Sequence, residues 1–125
     1  MLFIFYSNYL GLIRAHNFNF ITKRIKTMKF EGVTAEQLEK VSILLKAIAH
    51  PMRIAILQYL DGGKQFTVTE IHEYLKIEQS TTSHHLGILK DKGILGSKRN
   101  GKNTIYFLRN EHLSYLVDCI NKCAC

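Results

Sequence analysis

Two stretches of this 125-residue chain concentrate the side chains that can do chemistry. Gln79-Ser80-Thr81-Thr82-Ser83-His84-His85 sets one amide, four hydroxyls and two imidazoles in a row. These are short hydrogen-bonding groups of the kind that reach base edges and phosphates. The other stretch is the end of the chain, where His112 precedes Cys119, Cys123 and Cys125, the chain's three cysteines. Neither has the make-up of a catalytic centre. A nucleophile needs a base within hydrogen-bond reach, and Ser83 does not find one in His84, because adjacent residues on a helix point apart. The sequence offers no paired carboxylates at a useful spacing and no Gly-rich phosphate loop. A binding protein is therefore expected, not an enzyme.

Composition narrows the partner. Apolar residues make up 46% of the chain, enough to bury a core. Cysteines confined to the last seven residues staple nothing together, so a reducing cytoplasm is expected. The formal charge of +7 is uneven. Residues 1–30 carry five basic side chains and no acid, whereas residues 31–125 hold 12 basic and 10 acidic ones. Global charge therefore says little about nucleic acid, but its distribution says more. From Gly87 to Arg109 there are six basic residues against the single acid Asp91, the clustering expected of a phosphate-facing surface. The run from Leu2 to Ile13 is apolar but interrupted, shorter than the roughly 20 residues a membrane span needs. Its positive charges follow it, unlike those of a signal peptide. Residues 1–30 are expected to be an extension outside the fold, with Met28 a plausible start, and residues 31–125 a single domain without a membrane partner.

The elements that must position these groups follow from periodicity. Thr34 with Gln37 fits a capping box, and Leu38, Val41, Leu45 and Ile48 then recur at helical spacing. Pro51 stops that helix and opens another, to Leu60, with Ile54, Leu57 and Leu60 inward. Thr67 with Glu70 caps a third helix, with Val68, Ile71 and Leu75 as its apolar stripe. After a turn at Lys76–Gln79, Ser80 is expected to open a fourth helix ending near Lys92-Gly93. Two short helices joined by a tight turn make a helix-turn-helix. Beyond Gly93 the period becomes that of strands, 94–99 and 104–108, around an Asn100-Gly101 turn. Asn110 then caps a last helix with Leu113, Leu116, Val117 and Ile120 on one face. The expected fold is mainly α with a small β-hairpin wing.

The run Leu45-Lys46-Ala47-Ile48-Ala49-His50-Pro51-Met52-Arg53-Ile54-Ala55-Ile56-Leu57 resembles the opening of ArsR-type repressors. So does Gln79-Ser80-Thr81-Thr82-Ser83-His84-His85-Leu86-Gly87-Ile88-Leu89-Lys90, followed by Gly93-Ile94-Leu95. The likeness covers about residues 33–122. It implies a winged helix-turn-helix, a homodimer built on the first and last helices, and repression at an inverted-repeat operator in double-stranded DNA.

At about 100° per residue, Thr82, Leu86 and Leu89 share the inner side of the fourth helix, and Ser80, His84, Gly87 and Asp91 the outer. The N-terminal residues of such a helix reach the major groove, so Gln79, Ser80, Thr81, Ser83 and His84 are the candidate contacts. His85, off the outer face, is expected to be structural or to bridge to phosphate. Lys98, Arg99 and Lys102 on the wing are expected to meet backbone phosphates, adding affinity with little sequence information. A winged helix that docks protein instead of DNA is the alternative, but it would tolerate more acids on this face.

The resemblance also implies two places for an effector metal. One needs a Cys-x-Cys pair where this chain has Thr67 and Thr69, so it is absent. The other is an Asp-x-His motif with later ligands on the last helix. Here Asn110 replaces the Asp, His112 is present, Cys123 stands eleven residues on, and the final position falls at 126. His112, Leu116, Cys119 and Cys123 do lie within about 60° of helical arc. His112, Cys119 and Cys123 are therefore the candidates for zinc or copper(I), or the two thiols for oxidation or persulfide chemistry.

Overall fold

A computed structural model describes residues 32–124. The extension expected over residues 1–30, and Cys125, lie outside the described residues. The chain divides into two compact units, with the boundary between Val41 and Ser42. The core described below belongs to the second.

The elements run α1 (Ala35–Ile48), α2 (Pro51–Leu60), β1 (Phe66–Thr67), α3 (Val68–Leu75), α4 (Gln79–Asp91), β2 (Leu95–Asn100), β3 (Asn103–Leu108) and α5 (His112–Cys123). Local chemistry sets most of the boundaries. Thr34 N donates to Gln37 Oε1 at 2.8 Å and Gln37 N to Thr34 Oγ1 at 3.2 Å, the reciprocal cap expected for α1. Pro51 takes the first position of α2, where its missing N–H is no loss. Thr67 and Glu70 close the same kind of box on α3, with Thr67 N donating to Glu70 Oε2 at 2.7 Å. Asn110 Oδ1 accepts from His112 N at 2.9 Å and holds the start of α5.

The fourth helix begins one residue earlier than its hydroxyls suggest. Glu78 is the capping residue, with extended backbone and no side-chain capping bond, and Thr82 N donates to Glu78 O at 3.0 Å. Ser80 is thus inside the first turn and caps nothing. The preceding turn is made by Lys76, whose φ of 54° is a left-handed conformation that usually goes to glycine.

Ile56, Leu57, Leu60, Ile71, Leu86, Leu89, Ile94, Leu95 and Val117 are essentially sealed from solvent. Each such aliphatic side chain contributes about 1.5–3 kcal/mol on burial. Val117 therefore belongs to the chain's own core and not to an outward stripe of α5. Leu113, Leu116 and Ile120 pack partly against the same core. On α2, Tyr59 stacks on Phe66 of β1 at 4.3 Å and on Tyr74 of α3 at 3.8 Å between ring centroids.

The hairpin carries a third strand that periodicity did not anticipate. Antiparallel order is β1-β3-β2, with Phe66 opposite Tyr106, Leu95 opposite Leu108 and Asn100 opposite Asn103. Gly101 supplies the positive φ of 61° at the tip. Gly96 is fixed for another reason: a Cβ there would stand 2.5 Å from the Phe107 ring.

The hydrogen bonds from Thr67 hold the Glu70 carboxyl below its ordinary range. A carboxyl with a depressed folded value stabilises the fold above its unfolded value, and that contribution is lost as pH falls through the folded value. Thr67→Ala is expected to cost about 1 kcal/mol in urea denaturation at pH 7. The difference from the parent should shrink at acid pH, where Glu70 is protonated in both.

Candidate nucleic-acid interface

Helix α4 has two unlike sides. Thr82, Leu86 and Leu89 are fully buried, and the Thr82 hydroxyl is satisfied within the helix by donating to Glu78 O at 3.1 Å. Because that side is committed to the core, Gln79, Ser80, Thr81, Ser83 and His84 are all exposed. An amide, three hydroxyls and an imidazole thus line the first turn and a half of one helix. Gly87 continues this side without a side chain, and nothing lies within 4 Å of where its Cβ would be, so the face stays low and open.

The wing that follows α4 carries cations. Lys98, Arg99 and Lys102 are exposed, on β2 and at the hairpin tip. Among the described residues none of the three is in an ion pair, so their charge is uncompensated. The chain's α4 and β2 pack against each other, which fixes the strand carrying Lys98 and Arg99 to the helix carrying the polar face.

His85 is 7% exposed and turned away from the polar face. Its ring centroid lies 4.6 Å from that of His50 and 5.8 Å from that of His84. Burial pushes its pKa down, and the basic groups His50, Arg53 and His84 push the same way. Sequence reading missed His50 and Arg53 as members of this group, since no spacing rule joins them to a histidine on another helix.

On α5, His112, Cys119 and Cys123 are exposed. His112 stacks near Tyr115, with centroids 6.2 Å apart. Among the described residues no three His, Cys, Asp or Glu side chains converge on one point as metal ligands would. No single helix among the described residues is long and apolar enough to cross a membrane.

A helix with a buried apolar side and a polar outer side, joined by a three-residue turn to a capped helix and followed by a basic hairpin, is a winged helix-turn-helix. Residues 48–95 match the family described as a helix-turn-helix domain. The chain is 30% identical over 87 residues to the transcriptional regulator YgaV of Escherichia coli, covering 70% of this chain and 88% of that protein. It is 37% identical over 84 residues to the transcriptional repressor PagR of Bacillus anthracis, covering 67% and 84%. The crystal structure of PagR superposes with a TM-score of 0.63 at 35% identity, over 68% of this chain and 97% of that one. The repressor BigR of Xylella fastidiosa superposes with a TM-score of 0.64 at 33% identity, over 74% and 98%. The chain belongs to the ArsR-type winged helix-turn-helix transcriptional regulators.

A base whose folded pKa is lowered leaves the unfolded chain to take up protons first. Stability is then lost as pH falls below the ordinary imidazole value of 6.5, down to the folded value. A proton NMR titration should show His85 titrating below 6.5. His85→Gln should bind no such proton when unfolded, and should flatten the stability profile across that window.

Proposed function

We propose that the chain is a DNA-binding transcriptional repressor that works as a homodimer on an inverted repeat. The observation that carries this reading is an exposed amide, hydroxyl and imidazole face on α4, followed by a hairpin that packs on α4 and carries exposed cations in no ion pair among the described residues. Gln79, Ser80, Thr81, Ser83 and His84 would read base edges, and Lys98, Arg99 and Lys102 would hold the backbone. The names of YgaV, PagR and BigR as regulators and repressors support the role.

Dimerisation has its own support. Ile43 and Leu45 on α1 are 43% and 49% exposed, and Tyr115 on α5 is 73% exposed. Large apolar side chains left this open on end helices fit a surface that a second copy covers. Two recognition helices would then lie roughly 34 Å apart, one turn of the duplex. Sedimentation at micromolar concentration should show a dimer, and only monomer would refute this part.

Effector control, if located on α5, rests on the exposed thiols of Cys119 and Cys123. A double Cys119→Ser, Cys123→Ser variant should bind DNA as the reduced parent does and lose any response to zinc, copper(I), peroxide or persulfide. His112→Ala should abolish a metal response and spare a thiol one. A parent whose DNA affinity ignores all four reagents has no effector site here.

The wing and the recognition helix should separate experimentally. Lys98→Ala, Arg99→Ala or Lys102→Ala should weaken all duplexes about equally and flatten the salt dependence. Gln79→Ala or His84→Ala should cost a selected duplex about 1–3 kcal/mol more than a random one. An unchanged ratio in His84→Ala would show that this face does not read sequence. Failure of the parent to bind any duplex, with capture of a protein partner through α4, would favour the interaction-module alternative.

A further inference from the structure

His50 at the start of α2 and His85 inside α4 form a pair that the recognition face does not use. His50 is the capping residue of α2, and its Nδ1 accepts from Met52 N at 3.2 Å. A ring that accepts at Nδ1 carries its proton on Nε2, so His50 presents an N–H away from the backbone. Arg53, three residues on, donates from Nη1 to Ala47 O at 2.7 Å, which among the described residues leaves most of its donors uncommitted. Its buried Nε has no partner among the described residues, and neither has the buried Nδ1 of His85, whose ring lies against His50. Buried polar atoms of this kind are rare and call for an explanation.

Every charged group acting on His85 is basic: His50, Arg53 and His84. Among the described residues no carboxylate offsets them at His85, and the positive end of the α2 dipole adds to the same field. The corner opens outward through half-buried His50 and exposed His84, and His84 also belongs to the polar face of α4. A concentration of N–H donors and positive charge, with no anion against it among the described residues, beside the helix proposed to read DNA is complementary to one kind of group.

We propose that the His50–Arg53–His84 corner is a docking site for one phosphate, held by His50 Nε2–H and the Arg53 guanidinium, and filled in function by a backbone phosphate flanking the recognition helix. The DNA source rests on the repressor reading above, whereas the phosphate chemistry does not. Such a contact would fix the angle at which α4 enters the groove and carry no sequence information itself. The buried His85 ring backs the His50 ring and holds it in place. A bound anion would also offset the repulsion that adds to burial in lowering the His85 pKa.

Two measurements test this. Inorganic phosphate titrated into the parent, against chloride at equal ionic strength, should move the ring NMR signals of His50 and His84 and raise the midpoint of His85. His72 and His112 should not move. His50→Asn keeps a side-chain oxygen to cap α2 and removes the Nε2–H. It should unfold at the parent's midpoint yet bind random and selected duplexes about tenfold more weakly, by the same factor. Histidine signals indifferent to phosphate, or a folded His50→Asn that binds DNA as the parent does, would overturn the proposal. Histidine signals that respond to phosphate in a parent that binds no duplex would keep the phosphate site and overturn its assignment to DNA.

Discussion

The arrangement depends on the burial of one side of α4. Thr82, Leu86 and Leu89 have no exposed surface, and α2, α3 and β2 pack against the helix that carries them. Rotating the helix by one residue would expose two leucines and bury His84 or Ser83 without partners. Losing one large core side chain costs about 2–5 kcal/mol, and burying an unpaired hydroxyl costs more on top. The rotation of α4 is therefore fixed by its inner side, and the polar face is its consequence. Specificity in such a protein comes to rest on residues that contribute little to stability.

The same core ties the other working parts to α4. Ile94 and Leu95 are sealed into it at the start of the wing, so the basic hairpin leaves the core at a set angle. The last three residues of β2, Lys98 to Asn100, are exposed, and the tip turns on Gly101. Charge is thus placed at the end of a short lever whose root is rigid. Val117 anchors α5 to the same core, while Tyr115 on that helix stays in solvent. A second copy docking on α5 would act on an element continuous with the packing that orients the recognition helix.

What the sequence revealed depended on range. Thr67 with Glu70, Pro51, and Asn100-Gly101 act over three or four residues, and each boundary they imply is present. The two sides of α4 were legible because Thr82, Leu86 and Leu89 recur at helical spacing. The start of α4 was not, because the hydroxyl at Ser80 looks like a cap, whereas Glu78 fills that place with backbone geometry alone. Strand β1 is two residues long, too short for any period, and exists only because β3 pairs with it about forty residues on. Periodicity put Val117 on an apolar face, but it does not say whether that face meets the chain's own core or a second copy. The proximity of His50 and His85 is of the same long-range kind.

The central claim is that two copies present α4 to successive major grooves of one duplex. Selection of binding duplexes from a randomised pool by the purified reduced protein tests it most directly. The account predicts enrichment of an inverted repeat whose half-site centres lie about one helical turn apart. Enrichment of a single asymmetric site, or of no sequence at all, would contradict it.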